Sequence, residues 1–312
     1  MSFQQNFLNL LIKHRYQIDK LIDYLDPPEI GDYLPSRISA KLLCNYLAPC
    51  GKRITTYELI LPRFTLAQLN THKRLSRNAA SSRAIPGKKF AAKAENEPFF
   101  PLKWGKNQKG MEAFEELPQE IHPRLERAWN RGRKYILEMT KELNELGLHK
   151  EIANRPLEWC IYQTAIVTMT EDENFFNLRY HHSSQPELQN VAKLMYECRE
   201  DQKPEEVPVG FWSRPLLFDL DDLIREGYSE LELNKISSGR CARVSYLTHN
   251  GIRDPKADIE LHDRMIIEGH YSPFEHPARA MEKSLPSGNF IGWEQYRKMI
   301  PGEEVFQPKS LL

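Results

Sequence analysis

Apolar positions recur near helical spacing in several parts of the chain. Across residues 123–146 they include Trp129, Ile136 and Leu143, and Gly147 follows as a stop, which predicts one long amphipathic helix. Comparable patterns predict further helices at residues 65–76, 157–168, 187–198 and 257–268.

Extended structure is less frequent in the pattern. Residues 56–61 are rich in β-favouring side chains and end at Pro62, which predicts one strand. Residues 96–118 contain prolines and glycines without a period and are predicted to form a long loop. Residues 199–210 are acidic and contain prolines, as is typical of a linker or a surface loop. Because helices dominate over a minority of strands, the pattern predicts an α+β fold.

The overall composition excludes several classes of protein. Lys plus Arg and Asp plus Glu both count 43, so the formal net charge is zero, which excludes a globally basic nucleic-acid coat. The apolar share of 40% is enough for a sizeable core. The sequence has no run of eighteen uncharged apolar residues and no leader-like N-terminus, and its five widely spaced cysteines fit free thiols in a reducing compartment. We therefore expect a cytoplasmic protein that binds neither membranes nor nucleic acid.

The neutral total hides one uneven segment. Residues 59–94 contain no acidic residue and eight lysines and arginines. Within them, residues 76–86 (SRNAASSRAIP) are rich in hydroxyl and amide groups, which can form a phosphate cradle together with a guanidinium group. A solvated basic loop fits the same composition. A nucleic-acid groove is disfavoured, since no aromatic residue lies between Phe64 and Phe90 to stack on bases.

Several common catalytic patterns are absent from the sequence. There is no G-x-G-x-x-G loop, no P-loop, no H-E-x-x-H, no C-x-x-C and no G-x-S-x-G. His270 and His276 flank a proline turn, but a metal ion would need a further ligand at a matching spacing, and none is near. We therefore expect no metal site, and we interpret Cys50 as a structural thiol.

Four segments resemble the signature motifs of the flavin-dependent thymidylate synthases. Residues 71–84 (THKRLSRNAASSRA) are similar to R-H-R-x-x-S-x-N-E-x-S-x-R-Y, and Gln68 stands where the family has an upstream glutamine. Residues 242–245 repeat A-R-V-S, and residues 270–276 (HYSPFEH) match H-x-[ST]-P-F-E-H. The fourth segment is similar to N-L-R followed by Q-x-E-[IL]-R, at residues 177–179 and 185–189. One such motif would be weak evidence, whereas four in one chain argue against coincidence.

The order of these motifs differs from the common family order. In the family, A-R-V-S and S-P-F-E-H precede the R-H-R signature, whereas here they follow it by about 170 residues. The resemblance therefore implies a circularly permuted relative of the viral type, an arrangement that is tolerated where chain termini lie close together. It implies an α+β fold of the flavin-dependent thymidylate synthase type, helix-rich with a small mixed sheet.

The resemblance also suggests how the chain is divided. It covers residues 53–90, 157–195 and 237–280. We expect residues 37–312 to form a single catalytic domain with an insert at about 97–150. Residues 1–36 are amphipathic up to a break at Asp26-Pro27-Pro28, and we expect them to form a helical extension before that domain.

The resemblance implies a specific reaction. FAD, reduced by NADPH, would relay a one-carbon unit from methylenetetrahydrofolate to C5 of a pyrimidine deoxynucleoside monophosphate, converting dUMP to dTMP. It also implies a homotetramer with flavin sites between subunits, in the cytoplasm, or in the host cytoplasm if the protein is viral. In the absence of a cysteine nucleophile, the pyrimidine would be activated by donors that stabilise negative charge on its carbonyl groups.

The same resemblance carries residue roles onto this chain. Ser81, Arg83 and Gln189 correspond to catalytic positions. The positions expected to hold the nucleotide are Gln68, Arg74, Ser81, Ser82 and Arg83. The positions expected to contact FAD are His72, Lys73, Asn78, Asn177, Arg179, Ser245, His270 and Ser272.

Some of these positions depart from the family pattern. Thr71 replaces an arginine, Lys73 keeps the charge without the planar fork, and Ala79 replaces a glutamate. Gln189 stands where the family has an arginine that contacts the uracil carbonyl, and an amide both donates and accepts. This leaves open a dCMP substrate, a hydroxymethyl product or a relative that binds nucleotide without catalysis. Compensation for Gln189 by Arg74 or Arg77 is also open.

Overall fold

The computed structural model describes residues 36–246 and 254–305 of the chain. The described helices are α1 (Leu66–Leu69), α2 (Gly87–Asn96), α3 (His122–Glu145), α4 (Lys150–Ala153), α5 (Glu173–Arg179), α6 (Pro186–Glu200), α7 (Leu220–Arg225), α8 (Glu230–Arg243) and α9 (Pro255–Glu268). The described strands are β1 (Ser39–Leu47), β2 (Arg53–Pro62), β3 (Leu75–Ala79), β4 (Tyr162–Met169), β5 (Glu205–Glu206), β6 (Trp212–Ser213), β7 (Ala278–Ala280), β8 (Pro286–Ser287), β9 (Phe290–Ile291) and β10 (Trp293–Gln295). In the described ranges no helix combines the length and the apolar character that crossing a membrane requires.

A five-stranded sheet forms the centre of the molecule. Its order is β3-β4-β2-β1-β5, with antiparallel pairs except for the short parallel pair of β1 and β5. The register places Met169 of β4 opposite both Thr55 of β2 and Leu75 of β3. The start of β2, the start of β3 and the end of β4 therefore lie side by side at one end of the sheet. Two smaller antiparallel sheets, β10-β7-β6 and β8-β9, come from the C-terminal third of the described chain.

Helices cover both faces of this sheet. On one face, α6 buries Leu188, Val191, Ala192 and Met195, a spacing that keeps one apolar stripe against the strands. On the other face, Ile166 of β4 packs in a cluster with buried residues that include those near the end of α8. The prediction of an α+β fold with many helices and a small mixed sheet is therefore confirmed.

Three predicted helices are found close to their expected positions. The segments predicted at 123–146, 187–198 and 257–268 are α3, α6 and α9. Gly269 ends α9 in the left-handed region, at φ 73°, where glycine meets no steric penalty from a Cβ atom. The predicted strand at 56–61 lies within β2.

Two other predicted helices are wrong. Residues 157–168 form the end of a 3-10 helix and then β4, whose eight residues are all buried. A strand covered on both faces lacks the strict apolar-polar alternation of a half-exposed strand, so periodicity alone does not distinguish it from a buried helix. Residues 65–76 contain only the four-residue α1, after which the chain turns into β3 and pairs with β4.

The predicted domain limits are only partly covered by the structure. The expected helical extension at residues 1–36 lies almost entirely outside the described residues. The expected insert begins as irregular chain, in agreement with the predicted loop at 96–118, and its α3 packs on α2 and on the 3-10 helix Arg155–Cys160. The expected linker at 199–210 contains the short strand β5, which extends the main sheet.

His276 ties the C-terminal segment to the main sheet. It is fully buried, and its Nδ1 lies 2.9 Å from the hydroxyl group of Thr168 in β4. Burial lowers the pKa of His276 to about 3, because a charged ring would lose its hydration without gaining a partner. The ring is therefore neutral in the folded protein at neutral pH.

This burial predicts a pH-dependent stability. Below pH 6.5 the unfolded chain takes up a proton on His276 that the folded chain refuses until about pH 3, so the free energy of unfolding falls as the pH falls between these values. The contribution is about 1.4 kcal/mol per pH unit. Denaturant unfolding at pH 6.5, 5.5 and 4.5 should show a flatter pH dependence for His276→Asn than for the wild type. His181→Asn, at an exposed histidine, is the control. Equal slopes for wild type and His276→Asn would contradict the assignment.

Candidate functional site

A cleft of about 710 Å³ opens at the end of the sheet where β2 and β3 begin and β4 ends. Three chain segments supply most of its wall: the turn that enters β2, the turn that enters β3, and the stretch from the end of β4 into α5. Its lining residues are Gly51, Lys52, Arg53, Thr71, His72, Lys73, Arg74, Leu75, Met169, Thr170, Glu171, Asp172, Glu173, Asn174, Phe175, Leu178, Arg179 and Arg199. The strand register therefore brings together residues that are up to 148 positions apart.

His72 and Arg179 form a direct pair in the wall of this cleft. The Nε of Arg179 donates to Nε2 of His72 at 2.8 Å, and its Nη2 donates to the hydroxyl group of Thr71 at 3.1 Å. A guanidinium group only donates, so His72 accepts through Nε2 and its ring is neutral. Burial, followed by the charge of Arg179, lowers the pKa of His72. The ring packs edge-on against Phe175, with centroids 5.0 Å apart.

The positive charge in the cleft is only partly compensated. Lys52 and Arg74 both approach the Glu171 carboxylate, at 3.3 and 3.5 Å. In contrast, Lys73 donates to a backbone carbonyl and Arg179 to neutral groups, and within residues 36–246 and 254–305 neither has a carboxylate partner. Two uncompensated cations beside a neutral imidazole form an environment that favours an anionic ligand.

A second group of predicted residues surrounds the turn between β3 and α2. The Ser81 N–H donates to the Ser245 carbonyl at 3.0 Å, and the Asn78 side chain donates to the Cys241 carbonyl at 3.3 Å. These contacts bring two distant motifs together, as expected if both belong to one site. Arg83 is largely exposed and lies 3.6 Å from Glu151. Ser82, in contrast, is fully buried and its hydroxyl group donates to Glu158 at 2.5 Å.

Gln68 of α1 and Gln189 of α6 both lie near the beginning of α6. The Gln68 amide donates to the Gln185 side chain at 2.5 Å, and Gln189 is one helical turn further along α6. Arg77 donates to Asn70, and Arg74 pairs with Glu171. In the described part of the chain neither arginine forms a hydrogen bond with Gln189, so its compensation stays a prediction.

The remaining predicted flavin residues lie outside the cleft. Asn177 is on the exposed side of α5, and His270 is exposed beside Glu268, with 3.7 Å between Nε2 and the carboxylate. Ser272 is exposed in the 3-10 helix Ser272–Glu275, which contacts β3. Of the eight predicted flavin contacts, His72, Lys73 and Arg179 line the cleft within one chain. The roles of the other five stay predictions.

The motifs did not point to several residues that line the cleft. Lys52 and Arg53 follow Gly51, which adopts φ 79° in the turn between β1 and β2. Glu171 and Asp172 come directly after β4. Because the sequence pattern predicts a helix there, it does not indicate that these two carboxylates follow a strand end. A basic dipeptide after a turn glycine is a weak signal in a sequence, because nothing in it indicates which strand end it will face.

Solved structures with some similarity to this chain are known. Two structures of the UMP/dUMP methylase PolB from Streptomyces cacaoi, bound with 5-Br UMP and with 5-Br dUMP, are similar to this chain at 17% and 18% sequence identity, with TM-scores of 0.44 and 0.45. The similarity covers 54% of this chain in both cases and 91% and 92% of those chains. No curated protein matches the chain in sequence.

The family model described as Thymidylate synthase complementing protein matches residues 53–205. That segment runs from the first residue of β2 to the first residue of β5, and it contains the turn that carries His72, the turn that carries Arg83, and both α5 and α6. The A-R-V-S and S-P-F-E-H segments lie beyond it, in agreement with the altered motif order. The resemblance predicted from the motifs is thus confirmed, together with the class of enzyme, a nucleotide methyltransferase: residues 53–205, just under half of the chain, match the thymidylate synthase complementing protein family.

Proposed function

We propose that this protein transfers a one-carbon unit from methylenetetrahydrofolate to C5 of a pyrimidine deoxynucleoside monophosphate, converting dUMP to dTMP, with FAD as cofactor and NADPH as reductant. The observation that carries the proposal is the cleft wall formed by His72, Lys73 and Arg179, which come from two separate family motifs and leave two cations without carboxylate partners among the described residues.

This wall fits the anionic part of a dinucleotide cofactor. Lys73 and Arg179 would bind phosphate oxygens, and the neutral ring of His72 would be held in place by Arg179. Phe175 and Leu178 add apolar surface to the same cleft. FAD, when bound, would supply the redox chemistry, while this chain supplies orientation and the electrostatic field.

The exposed residues Asn177, His270 and Ser272 fit a site that a second subunit completes. They belong to motifs that the family uses for the flavin, yet none of them lines the cleft of the single chain. We therefore propose the expected homotetramer, with flavin sites between subunits. In such an arrangement His270 of one chain would approach the cleft of another.

The nucleotide would bind at the turn between β3 and α2. Arg83 presents an exposed guanidinium fork that suits a phosphate group, and Ser81 adds a hydroxyl group beside the Ser245 carbonyl. Gln68 and Arg74 would complete the nucleotide contacts. Donors directed at the pyrimidine carbonyl groups would stabilise negative charge as C5 becomes nucleophilic, which is the role we propose for Gln189.

A second candidate function differs only in the base or the product. Gln189 is a neutral amide, and neither Arg74 nor Arg77 contacts it among the described residues. An amide can accept from the exocyclic amino group of cytosine as well as donate to a carbonyl group. This observation favours dCMP as an alternative substrate, or a hydroxymethyl product formed by the same chemistry.

The first test of the proposal concerns the cofactor. The purified protein should take up FAD with a shifted flavin spectrum, and Arg179→Ala should raise the Kd for FAD about tenfold, which corresponds to about 1.4 kcal/mol. The physical reason is the loss of one uncompensated cation and of the donor that holds His72. Titration followed by flavin absorbance measures both effects. Arg225→Ala, which removes an exposed arginine on α7 that does not line the cleft, is the control.

The outcomes of this test are distinct. Absence of FAD uptake by the wild type would favour a nucleotide-binding relative without catalysis. Normal uptake with an unchanged Kd in Arg179→Ala would remove Arg179 from the flavin site but leave the reaction in place.

The second test concerns the nucleotide. Arg83→Ala should raise the KM for dUMP about tenfold while the Kd for FAD stays unchanged, because a phosphate contact stabilises the bound substrate and the transition state equally. Steady-state assays with FAD, NADPH and methylenetetrahydrofolate measure the change, and Lys88→Ala removes an exposed cation of the same basic segment as the matched control. An unchanged KM would contradict the phosphate contact.

The same assay with dUMP and dCMP in parallel identifies the base. Formation of dTMP from dUMP with no change in dCMP would support the first proposal. A C5-modified cytosine nucleotide would support the second.

A further inference from the structure

The turn that carries Arg83 is held from one side by a short segment of the chain. This segment, residues 150–160, comprises α4 and the 3-10 helix Arg155–Cys160, and we call it the brace. Asn154 of the brace is fully buried. Its amide nitrogen donates to two carbonyl groups of the turn, that of Ser82 at 2.8 Å and that of Ile85 at 3.0 Å.

A partly exposed carboxylate gives the turn a second attachment. Glu158 of the brace accepts from the Ser82 hydroxyl group at 2.5 Å and from Arg155 at 2.9 Å. Its remaining partner is Arg63, with 3.2 Å between Nη2 and the carboxylate. Arg63 also donates to the Ala80 carbonyl at 2.6 Å, directly before the turn. Two cations therefore hold the carboxylate that holds Ser82.

These contacts act on four carbonyl groups in the turn and directly before it. Lys150 of the brace donates to the Ala84 carbonyl at 3.2 Å, so side chains bind the carbonyl oxygens of Ala80, Ser82, Ala84 and Ile85. No peptide bond in the described chain is cis, and a trans peptide directs its C=O and N–H groups to opposite sides. Binding of the Ser82 carbonyl by Asn154 therefore directs the Arg83 N–H away from the brace.

We propose that Asn154 and Glu158 are positioning residues for nucleotide binding, which hold residues 81–85 in the conformation that presents the Arg83 backbone N–H and side chain to a phosphate group. This proposal rests on the function proposed above. It assigns to Ser82 the role of an internal attachment point instead of a ligand contact, because its hydroxyl group is directed to Glu158 within the chain. It also gives a function to a segment at the border of the expected insert.

The expected consequence is a change in affinity with little change in chemistry. If loss of Asn154 leaves the turn in the binding conformation for only a tenth of the time, the apparent affinity for the nucleotide falls about tenfold. The bound state keeps its contacts, so kcat stays within about twofold and the Kd for FAD does not change. A purely structural role would instead lower the stability of the whole molecule.

The first experiment needs no ligand. Amide hydrogen exchange of the wild type and Asn154→Ala, followed by mass spectrometry of short peptides, compares residues 81–85 with β4. Ala84 and Ile85 donate their N–H groups to the Ser81 carbonyl, so their exchange reports the conformation of the turn. We expect exchange at these positions to accelerate at least tenfold while β4 is unaffected. Equal exchange in the turn, or an equal acceleration in β4, would overturn the proposal.

The second experiment measures dUMP binding by calorimetry and dUMP kinetics on the FAD-loaded protein. Asn154→Ala should raise the Kd and the KM about tenfold. Glu158→Gln keeps an acceptor for the Ser82 hydroxyl group and should have a smaller effect than Glu158→Ala, which also covers the case that one variant fails to fold. Ile152→Ala, at an exposed position of α4, is the matched control and should behave as the wild type.

The two experiments separate this proposal from the proposed function. A wild type that does not bind dUMP would contradict the proposed function, while the exchange experiment would still decide whether the brace holds the turn. A wild type that binds dUMP, with an unchanged Kd in Asn154→Ala, would overturn the positioning role alone.

Discussion

The pairing of β4 with β2 on one side and β3 on the other is the constraint on which the rest of the structure depends. All eight residues of β4 are buried, so its backbone groups have no access to water and must be paired along both edges. Slipping the register by one residue would move Ala165, Val167 and Met169 from the face covered by α6 to the opposite face, where Ile166 packs, so both packed faces depend on the register. The register that results sets Thr55, Met169 and Leu75 in one row. The cleft lies directly beyond this row, so its geometry follows from the sheet.

The electrostatics of the cleft depend on which charges the fold pairs and which it leaves unpaired. The protein as a whole is neutral, and many of its lysines and arginines approach a carboxylate. Glu171 is shared by Lys52 and Arg74, and Asp172 is held by Arg199 at 2.7 Å. Lys73, Arg179 and Arg53 differ because their donors are used by neutral acceptors. A neutral total charge is thus compatible with a strongly polar local site, since a small anion senses only its immediate surroundings.

The sequence predicts the helical part of this fold well and its sheet poorly. The helices α3, α6 and α9 carry one apolar stripe each, and that pattern is local. The strand β4 shows no strict alternation of apolar and polar residues, because both of its faces are covered, and its pattern therefore also suits a buried helix. The helix predicted at 65–76 is wrong for a related reason. The end of this segment enters β3, which pairs with β4 about 90 residues further along the chain.

The site was predictable to the extent that its chemistry is written in short motifs. His72, Lys73 and Arg179 were found because their motifs are specific, and the structure brings them together. Lys52, Arg53 and Glu171 were missed, since they meet the others only through strand register. The burial of Ser82 could not be read from its motif either, because the carboxylate that binds it is 76 residues further along the chain.

The hydrogen bond between Ser81 and Ser245 has a consequence for the order in which the molecule is built during synthesis. The strand β3 is at the edge of the main sheet, and its C-terminal contacts come from residues beyond 240. When the ribosome has produced β2, β3 and β4, the sheet can assemble, but the outer edge of β3 still lacks its cover. An uncovered edge strand is a template for pairing with another chain. The nascent protein therefore passes through an interval, about 75 residues of elongation long, in which an unpaired strand edge lies beside its half-built site.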